Sequence, residues 1–102
     1  MRRISISPNQ LPAPGQSQGL TIDTTSILLC NVDGEYFAIE DVCTHDGSPL
    51  DGGRLDGACI ECPRHGARFD LRTGAALTLP AFLPVETFRV TRDGDTVTLE
   101  FP

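Results

Sequence analysis

The sequence predicts an all-β protein, built as a small antiparallel sandwich or barrel. The first observation is a series of turn signals between short apolar or alternating runs: Asp33-Gly34, Asp56-Gly57, Thr73-Gly74 and Asp93-Gly94. The second is the alternation of apolar and polar side chains on both sides of the last turn, which predicts strands with one buried face. The third is that no stretch of helix length shows a helical period.

Short runs rich in β-branched and aromatic residues locate the individual strands. We predict strands at residues 3–5, 27–32, 36–40, 58–62, 67–71 and 76–79, and a final hairpin over residues 88–101. The prolines and glycines of residues 7–26 predict a surface loop. Residues 41–57 lack strand alternation, and functional groups often lie on such loops.

Length and charge limit the possible functions. A chain of 102 residues suffices for one small domain, so we expect residues 1–102 to form a single domain. The formal net charge of -6 argues against nucleic acid as a partner, because binding phosphates requires a basic patch. No apolar run is long enough for a membrane helix, and Arg2-Arg3 is followed by a polar stretch rather than the core of a signal peptide. We therefore expect a cytoplasmic protein.

Two segments combine a thiol with an imidazole: Cys43-Thr44-His45 and Cys62-Pro63-Arg64-His65. Together they contain both histidines of the chain. The short spacing lets two ligands from one loop reach one metal-sized site, and two such loops can approach that site from opposite sides. The pattern therefore predicts a metal centre.

Other interpretations of these residues remain open at this point. A disulfide framework is typical of secreted chains, and it does not explain a histidine beside a cysteine in both segments. A structural zinc site also uses two cysteines and two histidines, although Cys-x-His is tighter than the usual gap of about two to four residues. A Cys-His nucleophilic pair would leave the second pair without a role.

The segments Cys-Thr-His-Asp-Gly and Cys-Pro-Arg-His-Gly-Ala-Arg-Phe-Asp closely resemble the Rieske iron-sulfur family, in particular the small Rieske-type ferredoxins of bacterial aromatic-ring oxygenase systems. The resemblance extends roughly from residue 27 to the C-terminus and includes Arg-Thr-Gly at 72–74 and Leu-Pro-Ala-Phe-Leu-Pro-Val at 79–85. It implies a Rieske-type fold with a cluster-binding subdomain formed by two loops, within about residues 41–84.

The resemblance also implies one 2Fe-2S cluster and its ligands. Cys43 and Cys62 would bind one iron as thiolates, and His45 and His65 would bind the other as imidazoles. Two ferric ions and two sulfides carry a net positive charge. Two thiolate ligands cancel that charge and leave a neutral site, whereas four thiolates would make the site anionic. Because a neutral site accepts an electron more easily than an anionic one, the two histidines raise the reduction potential.

Differences from the high-potential Rieske proteins of respiratory chains narrow the expected function. Those proteins have a disulfide between the cluster loops, at the positions that here are Ser48 and Arg64. They also place hydroxyl donors toward the cluster where this chain has Ala67 and Phe69. Without these donors the reduced cluster is less stabilised, so we expect a potential near the low end of about -150 to +300 mV.

The expected function is that of a soluble one-electron carrier, not an enzyme. With two histidines in all, the chain has none left for the mononuclear iron of an oxygenase, and it has no Rossmann-type glycine fingerprint. We expect a monomer that passes electrons from an NAD(P)H-dependent ferredoxin reductase, a flavoprotein, to a terminal Rieske non-heme iron oxygenase. The alternatives are a Rieske-type small subunit of a nitrite reductase and, from a different class, a structural or regulatory zinc-binding module.

The sequence also suggests roles for several residues that are not predicted ligands. Gly47, Gly66 and also Gly53 are expected to let the backbone approach the cluster and donate amide hydrogens to sulfur. Cys30 and Cys59 match no family ligand and are expected to be free structural thiols. The first candidates for partner contact are two charged residues next to the predicted ligands, Asp46 and Arg64.

Overall fold

The computed structural model describes residues 1–102 and contains ten strands and one 3-10 helix, Pro8–Gln10. In chain order the strands are β1 Arg2–Ile6, β2 Ser17–Ile22, β3 Thr25–Val32, β4 Glu35–Glu40, β5 Arg54–Asp56, β6 Cys59–Glu61, β7 Arg68–Asp70, β8 Thr87–Phe88, β9 Val90–Asp93 and β10 Thr96–Phe101. Every strand pair is antiparallel, which confirms the predicted all-β class. No helix has the length and apolar character needed to pass through a bilayer.

The strands form three sheets, and the middle one separates two hydrophobic cores. The strand orders are β1-β10-β9, β2-β3-β4-β8 and β5-β6-β7. In β3 of the four-stranded sheet, Ile27 and Leu29 pack in a core shared with β10, whereas Leu28 and Cys30 pack in a core shared with β6 and β7. Because β3 is buried on both faces, its sequence is a continuous apolar run rather than an alternating one.

Three of the four predicted turns connect the strands of a hairpin. Asp33-Gly34 joins β3 to β4, Asp56-Gly57 lies between β5 and β6, and Asp93-Gly94 lies between β9 and β10. The fourth, Thr73-Gly74, returns the chain after β7 so that Ala76 forms an isolated bridge with Phe69. The turn signals therefore located the chain reversals correctly.

The structure differs from the sequence prediction at three places. Strand β2 lies inside residues 7–26, which were predicted as a surface loop, and its only buried side chain is Leu20. Strand β5, only three residues long, is too short to show a period, and it lies in the predicted loop 41–57. The predicted strand at 76–79 is wrong, because Leu77 and Leu79 are exposed and only Ala76 pairs with a strand.

Gly74 joins the turn after β7 to the segment that precedes β8. Its N–H donates to the Asp70 carbonyl oxygen (2.7 Å), and its own carbonyl oxygen accepts from the Val85 N–H (2.8 Å). The backbone has φ +81°, and a Cβ added here would overlap the Val85 carbonyl oxygen. This close approach of two backbones requires glycine.

Replacing Gly74 by alanine is expected to lower the melting temperature more than the same change at Gly15. Both glycines have φ +81°, so an alanine at either position is strained by the left-handed backbone, but a Cβ at Gly15 meets no atom within 4 Å. The overlap at Gly74 should cost a further 1–3 kcal/mol, roughly, or about 5 °C or more in a domain of this size. Thermal unfolding followed by circular dichroism measures the difference, and equal melting temperatures would contradict the close approach.

Candidate functional site

The first Cys-His loop, residues 43–48, is closed by two backbone hydrogen bonds. The Cys43 N–H donates to the Ser48 carbonyl oxygen (2.7 Å), and the Gly47 N–H donates to the Cys43 carbonyl oxygen (2.7 Å). Gly47 has φ +79°, a left-handed conformation that glycine adopts without strain. Both backbone polar groups of the buried Cys43 are thereby satisfied within the loop.

The second Cys-His loop, residues 62–67, repeats this arrangement. The Cys62 N–H donates to the Ala67 carbonyl oxygen (2.7 Å), and the Gly66 N–H, in a residue with φ +76°, donates to the Cys62 carbonyl oxygen (3.1 Å). Cysteine and glycine thus occupy equivalent positions in the two loops. The histidine is two residues after the cysteine in the first loop and three residues after it in the second.

The predicted role of Gly47, Gly66 and Gly53 as amide donors to sulfur is wrong. The N–H groups of Gly47 and Gly66 donate to the cysteine carbonyl oxygens and close the two turns, and the Gly53 N–H donates to the Leu50 carbonyl oxygen (2.9 Å). At Cys43 the backbone groups that hydrogen-bond to the thiol belong instead to His45 and Asp46. The short turn after Cys43 could have indicated these donors, because consecutive backbone N–H groups in such turns often point into one concavity.

The two predicted cysteine ligands lie side by side in the core between the four-stranded sheet and β5–β7. Cys43 and Cys62 are buried among apolar side chains and contact each other through their thiols. Burial raises the pKa of the Cys43 thiol, the backbone N–H groups of His45 and Asp46 lower it, and the neighbouring Cys62 thiol raises it. Removing both protons here therefore requires a nearby positive charge.

The two predicted histidine ligands lie on the solvent side of the thiols. The His45 and His65 rings meet edge to face, with centroids 5.2 Å apart and an interplanar angle of 87°. Ligand atoms of Cys43 and His45 lie within 4.8 Å of each other. Both imidazoles are exposed, His65 with 48% of its side chain accessible. All four predicted site residues are thus brought together, with thiols inside and imidazoles outside.

Asp46 connects the two Cys-His loops. One carboxylate oxygen accepts the Ser48 N–H (3.0 Å), and the other lies 3.7 Å from His65 Nε2 and 3.9 Å from Arg64 Nε. The hydrogen bonds from Ser48, followed by the charges of His45 and Arg64, hold the pKa of Asp46 below its usual value. Asp46 and Arg64, which the sequence suggested as contacts for a partner protein, therefore face each other within this chain.

Two further residues support the first loop and were not singled out from the sequence. One Asp41 carboxylate oxygen accepts the N–H groups of Leu50 (2.7 Å) and Asp51 (2.9 Å), which returns the chain after the loop. Thr44 donates its hydroxyl hydrogen to the Leu83 carbonyl oxygen (2.7 Å). Asp and Thr often bond backbone groups in loops, but the sequence does not identify partners so far along the chain.

The largest cavity, about 720 Å³, lies elsewhere, between β4 and β9. None of the four predicted site residues lines it. Two of the arginines that line it already make cation–π contacts. The Arg72 guanidinium carbon lies 5.4 Å from the centre of the Phe37 ring, and that of Arg92 lies 5.8 Å from the centre of the Tyr36 ring. The chemistry predicted from the sequence is therefore concentrated at the Cys-His loops.

The donor set at the Cys-His loops fits an iron-sulfur cluster. Thiolates and imidazoles are ligands that iron-sulfur and zinc centres share, and two cysteines with two histidines are the ligands of a Rieske centre. A cationic metal core would also supply the positive charge that the two buried thiolates need. The geometry and the donor chemistry therefore agree with the cluster implied by the sequence resemblance.

Comparisons with known proteins agree with this cluster type. Residues 4–89 match the Rieske [2Fe-2S] domain. The ferredoxin component of biphenyl 2,3-dioxygenase from Rhodococcus jostii (strain RHA1) is 42% identical over 88 residues, 86% of this chain and 82% of the relative. The carbazole 1,9a-dioxygenase ferredoxin from Nocardioides aromaticivorans IC177 superposes with a TM-score of 0.87 at 31% identity, covering 97% of both chains.

A second solved structure, a complex of reduced oxygenase and oxidized ferredoxin in carbazole 1,9a-dioxygenase, includes a chain with a TM-score of 0.84 and 28% identity. That likeness covers 95% of this chain and 91% of the other. These relatives are ferredoxin components, which transfer electrons, rather than catalytic subunits. This chain belongs to the Rieske [2Fe-2S] domain family, and its cofactor is accordingly one Rieske-type 2Fe-2S cluster rather than zinc.

Proposed function

We propose that this protein is the ferredoxin of an aromatic-ring oxygenase system. It takes single electrons from an NAD(P)H-dependent ferredoxin reductase, a flavoprotein, and delivers them to a terminal Rieske non-heme iron oxygenase. The observation that carries the proposal is the orientation of the site, in which the thiols are buried and the imidazoles reach solvent. Support comes from the biphenyl dioxygenase ferredoxin at 42% identity and from the ferredoxin that resembles this chain in a complex with its oxygenase.

Within this function we assign the cluster ligands to four residues of the segment at about 41–84. Cys43 and Cys62 are the thiolate ligands of one iron, and His45 and His65 are the imidazole ligands of the other. When bound, the cluster gains and loses one electron. The apolar core around the thiols excludes water from one side, and the exposed imidazoles give a partner close access on the other.

The remaining parts of the proposal concern the protein as a whole. We propose that residues 1–102 act as a single domain and as a monomer. A cytoplasmic location is supported by Cys30 and Cys59, the two cysteines not assigned as ligands, which form no disulfide, as is usual in a reducing compartment. Of the two iron-sulfur functions, the ferredoxin role is favoured over a nitrite reductase subunit, because the relative at 42% identity is a ferredoxin component.

Substituting any of the four assigned ligands is expected to abolish or disrupt the cluster, whereas substituting the other cysteines is not. Cys43→Ser, Cys62→Ser, His45→Ala and His65→Ala each remove one donor, so purified protein should lose the Rieske visible spectrum and most of its iron. Cys59→Ser, at a half-buried free thiol, is the matched control and should keep two irons per chain. Iron loss from the control with retention in a ligand variant would overturn the assignment.

The carrier function is tested by reconstitution. A ferredoxin reductase and NADH should reduce the protein, and the reduced sample should show the rhombic, low-average-g electron paramagnetic resonance signal of a Rieske centre. Oxygenase turnover should then depend on its presence, and the oxygenase components of the biphenyl and carbazole dioxygenase systems serve as acceptors. A dithionite-reduced sample without that signal, or failure with both acceptors, would count against the proposal.

The reduction potential should lie near the low end of about -150 to +300 mV. Ala67 and Phe69 are both fully buried on the second loop and its following strand, and their side chains have no hydroxyl to donate. Ala67→Ser and Phe69→Tyr should each raise the potential, by about 60 mV for a hydrogen bond worth about 1.5 kcal/mol to the reduced state. Direct electrochemistry measures this shift, and Phe88→Tyr, outside the core that contains the thiols, provides the control.

A further inference from the structure

Exposed large apolar side chains are concentrated in one loop. Apart from Met1, the large hydrophobic residues that the structure leaves exposed are Leu77, Leu79, Phe82 and Leu83. The most accessible of them are Leu79 (70%), Phe82 (80%) and Leu83 (64%). We call residues 77–84 the apolar loop. Because scattered single hydrophobics are ordinary but clusters are not, this loop is a candidate interaction surface.

The apolar loop is held in place by buried anchors. Ala81, inside the loop, and Val85, directly after it, are both 4% exposed and pack in the core that contains Cys43 and Cys62. The Val85 N–H is also bonded to Gly74 (2.8 Å). The exposed side chains therefore project from a loop anchored at Ala81 and Val85, which reduces the conformational entropy lost when a partner binds.

The apolar loop also adjoins the cluster site. Thr44 lies between the assigned ligands Cys43 and His45, and its hydroxyl donates to the Leu83 carbonyl oxygen (2.7 Å). The apolar loop is thus bonded directly to the first Cys-His loop, on whose outer side the His45 imidazole is exposed. Electron transfer weakens steeply with distance, so a partner seated here would meet the site at its accessible edge.

Charges at this edge largely cancel. The Asp46 carboxylate faces both the Arg64 guanidinium (3.9 Å) and His65 (3.7 Å), so neither sign of charge dominates beside the imidazoles. The net charge of -6 is a property of the whole chain. The Asp46–Arg64 pair therefore offers a strongly basic or acidic partner face little net charge, whereas the apolar loop offers an apolar face a matching surface.

We propose that Leu79, Phe82 and Leu83, together with the exposed edges of His45 and His65, form the docking face for the terminal oxygenase, and that apolar burial rather than charge holds the complex. This inference rests on the proposed function. Its partner is an oxygenase surface that is apolar around the point of electron entry. Phe82 is the central anchor, because aromatic side chains buried at an interface contribute most to affinity.

The test measures the KM of an oxygenase for this ferredoxin, with the biphenyl or carbazole oxygenase, whichever the wild-type protein reduces. Phe82→Ser should raise KM about tenfold or more at unchanged kcat, Phe82→Leu should restore most of the affinity, and Leu79→Ser provides a second variant in case the first folds poorly. The control Arg89→Gln, in the remote cavity, should leave KM unchanged. Between about 50 and 200 mM salt the wild-type KM should change less than about threefold.

The outcomes separate the docking proposal from the proposed function. In the Phe82, Leu79 and Arg89 variants the paramagnetic resonance signal and the potential should match those of the wild type, because these side chains are exposed and lie outside the core that contains the thiols. If these are unchanged and wild-type turnover is normal, an unaltered KM in both Phe82→Ser and Leu79→Ser overturns the docking face alone. A wild-type KM that rises tenfold with salt overturns the apolar mechanism. If the wild-type protein supports turnover of neither oxygenase, that result counts against the carrier function itself.

Discussion

The structure depends on placing two thiols in one apolar core from two separate loops. Each cysteine has its N–H and its carbonyl oxygen bonded within its own loop, so neither loop leaves backbone polar groups unpaired where it enters the core. The surrounding apolar side chains come from β3, β4, β6 and β7 and from the segment before β8. Burial raises the pKa of the Cys43 thiol, so a cationic group is needed to hold both sulfurs as thiolates. Two thiolates are therefore stable in this core only beside a positively charged centre.

The same constraint explains why the site faces two environments. Because the cysteines begin the loops and the histidines follow near the turns, the loops carry sulfur inward and nitrogen outward. Asp46 then joins the outer sides of the two loops through His65 and Arg64. A centre held in this way is insulated on its sulfur side and accessible on its imidazole side. That asymmetry suits a carrier that must give up its electron to another protein through one accessible edge.

Much of this arrangement could be predicted from the sequence, and the exceptions have physical causes. The Asp-Gly turns and the Cys-His pairs are local signals, and the structure places them where the pattern indicated. Strand β2 was hidden because an edge strand with one buried side chain shows little alternation. The prediction of a strand at 76–79 failed because it assumed that alternating apolar residues are buried, and Leu77 and Leu79 are not. The contact of Thr44 with Leu83 is nonlocal, so no local pattern could predict it.

That failed strand prediction identifies the surface most relevant to function. An apolar residue in a small soluble domain normally stabilises the fold by leaving water, so exposed ones contribute to stability only when a partner covers them. Net charge is a poor guide to that partner, because charges separated by more than about 10 Å are screened at ordinary ionic strength. What an approaching protein encounters beside the imidazoles is the balanced pair of Asp46 and Arg64 and the side chains of the apolar loop. Local surface chemistry, rather than the acidic composition of the chain, therefore determines which partner surface can approach the cluster.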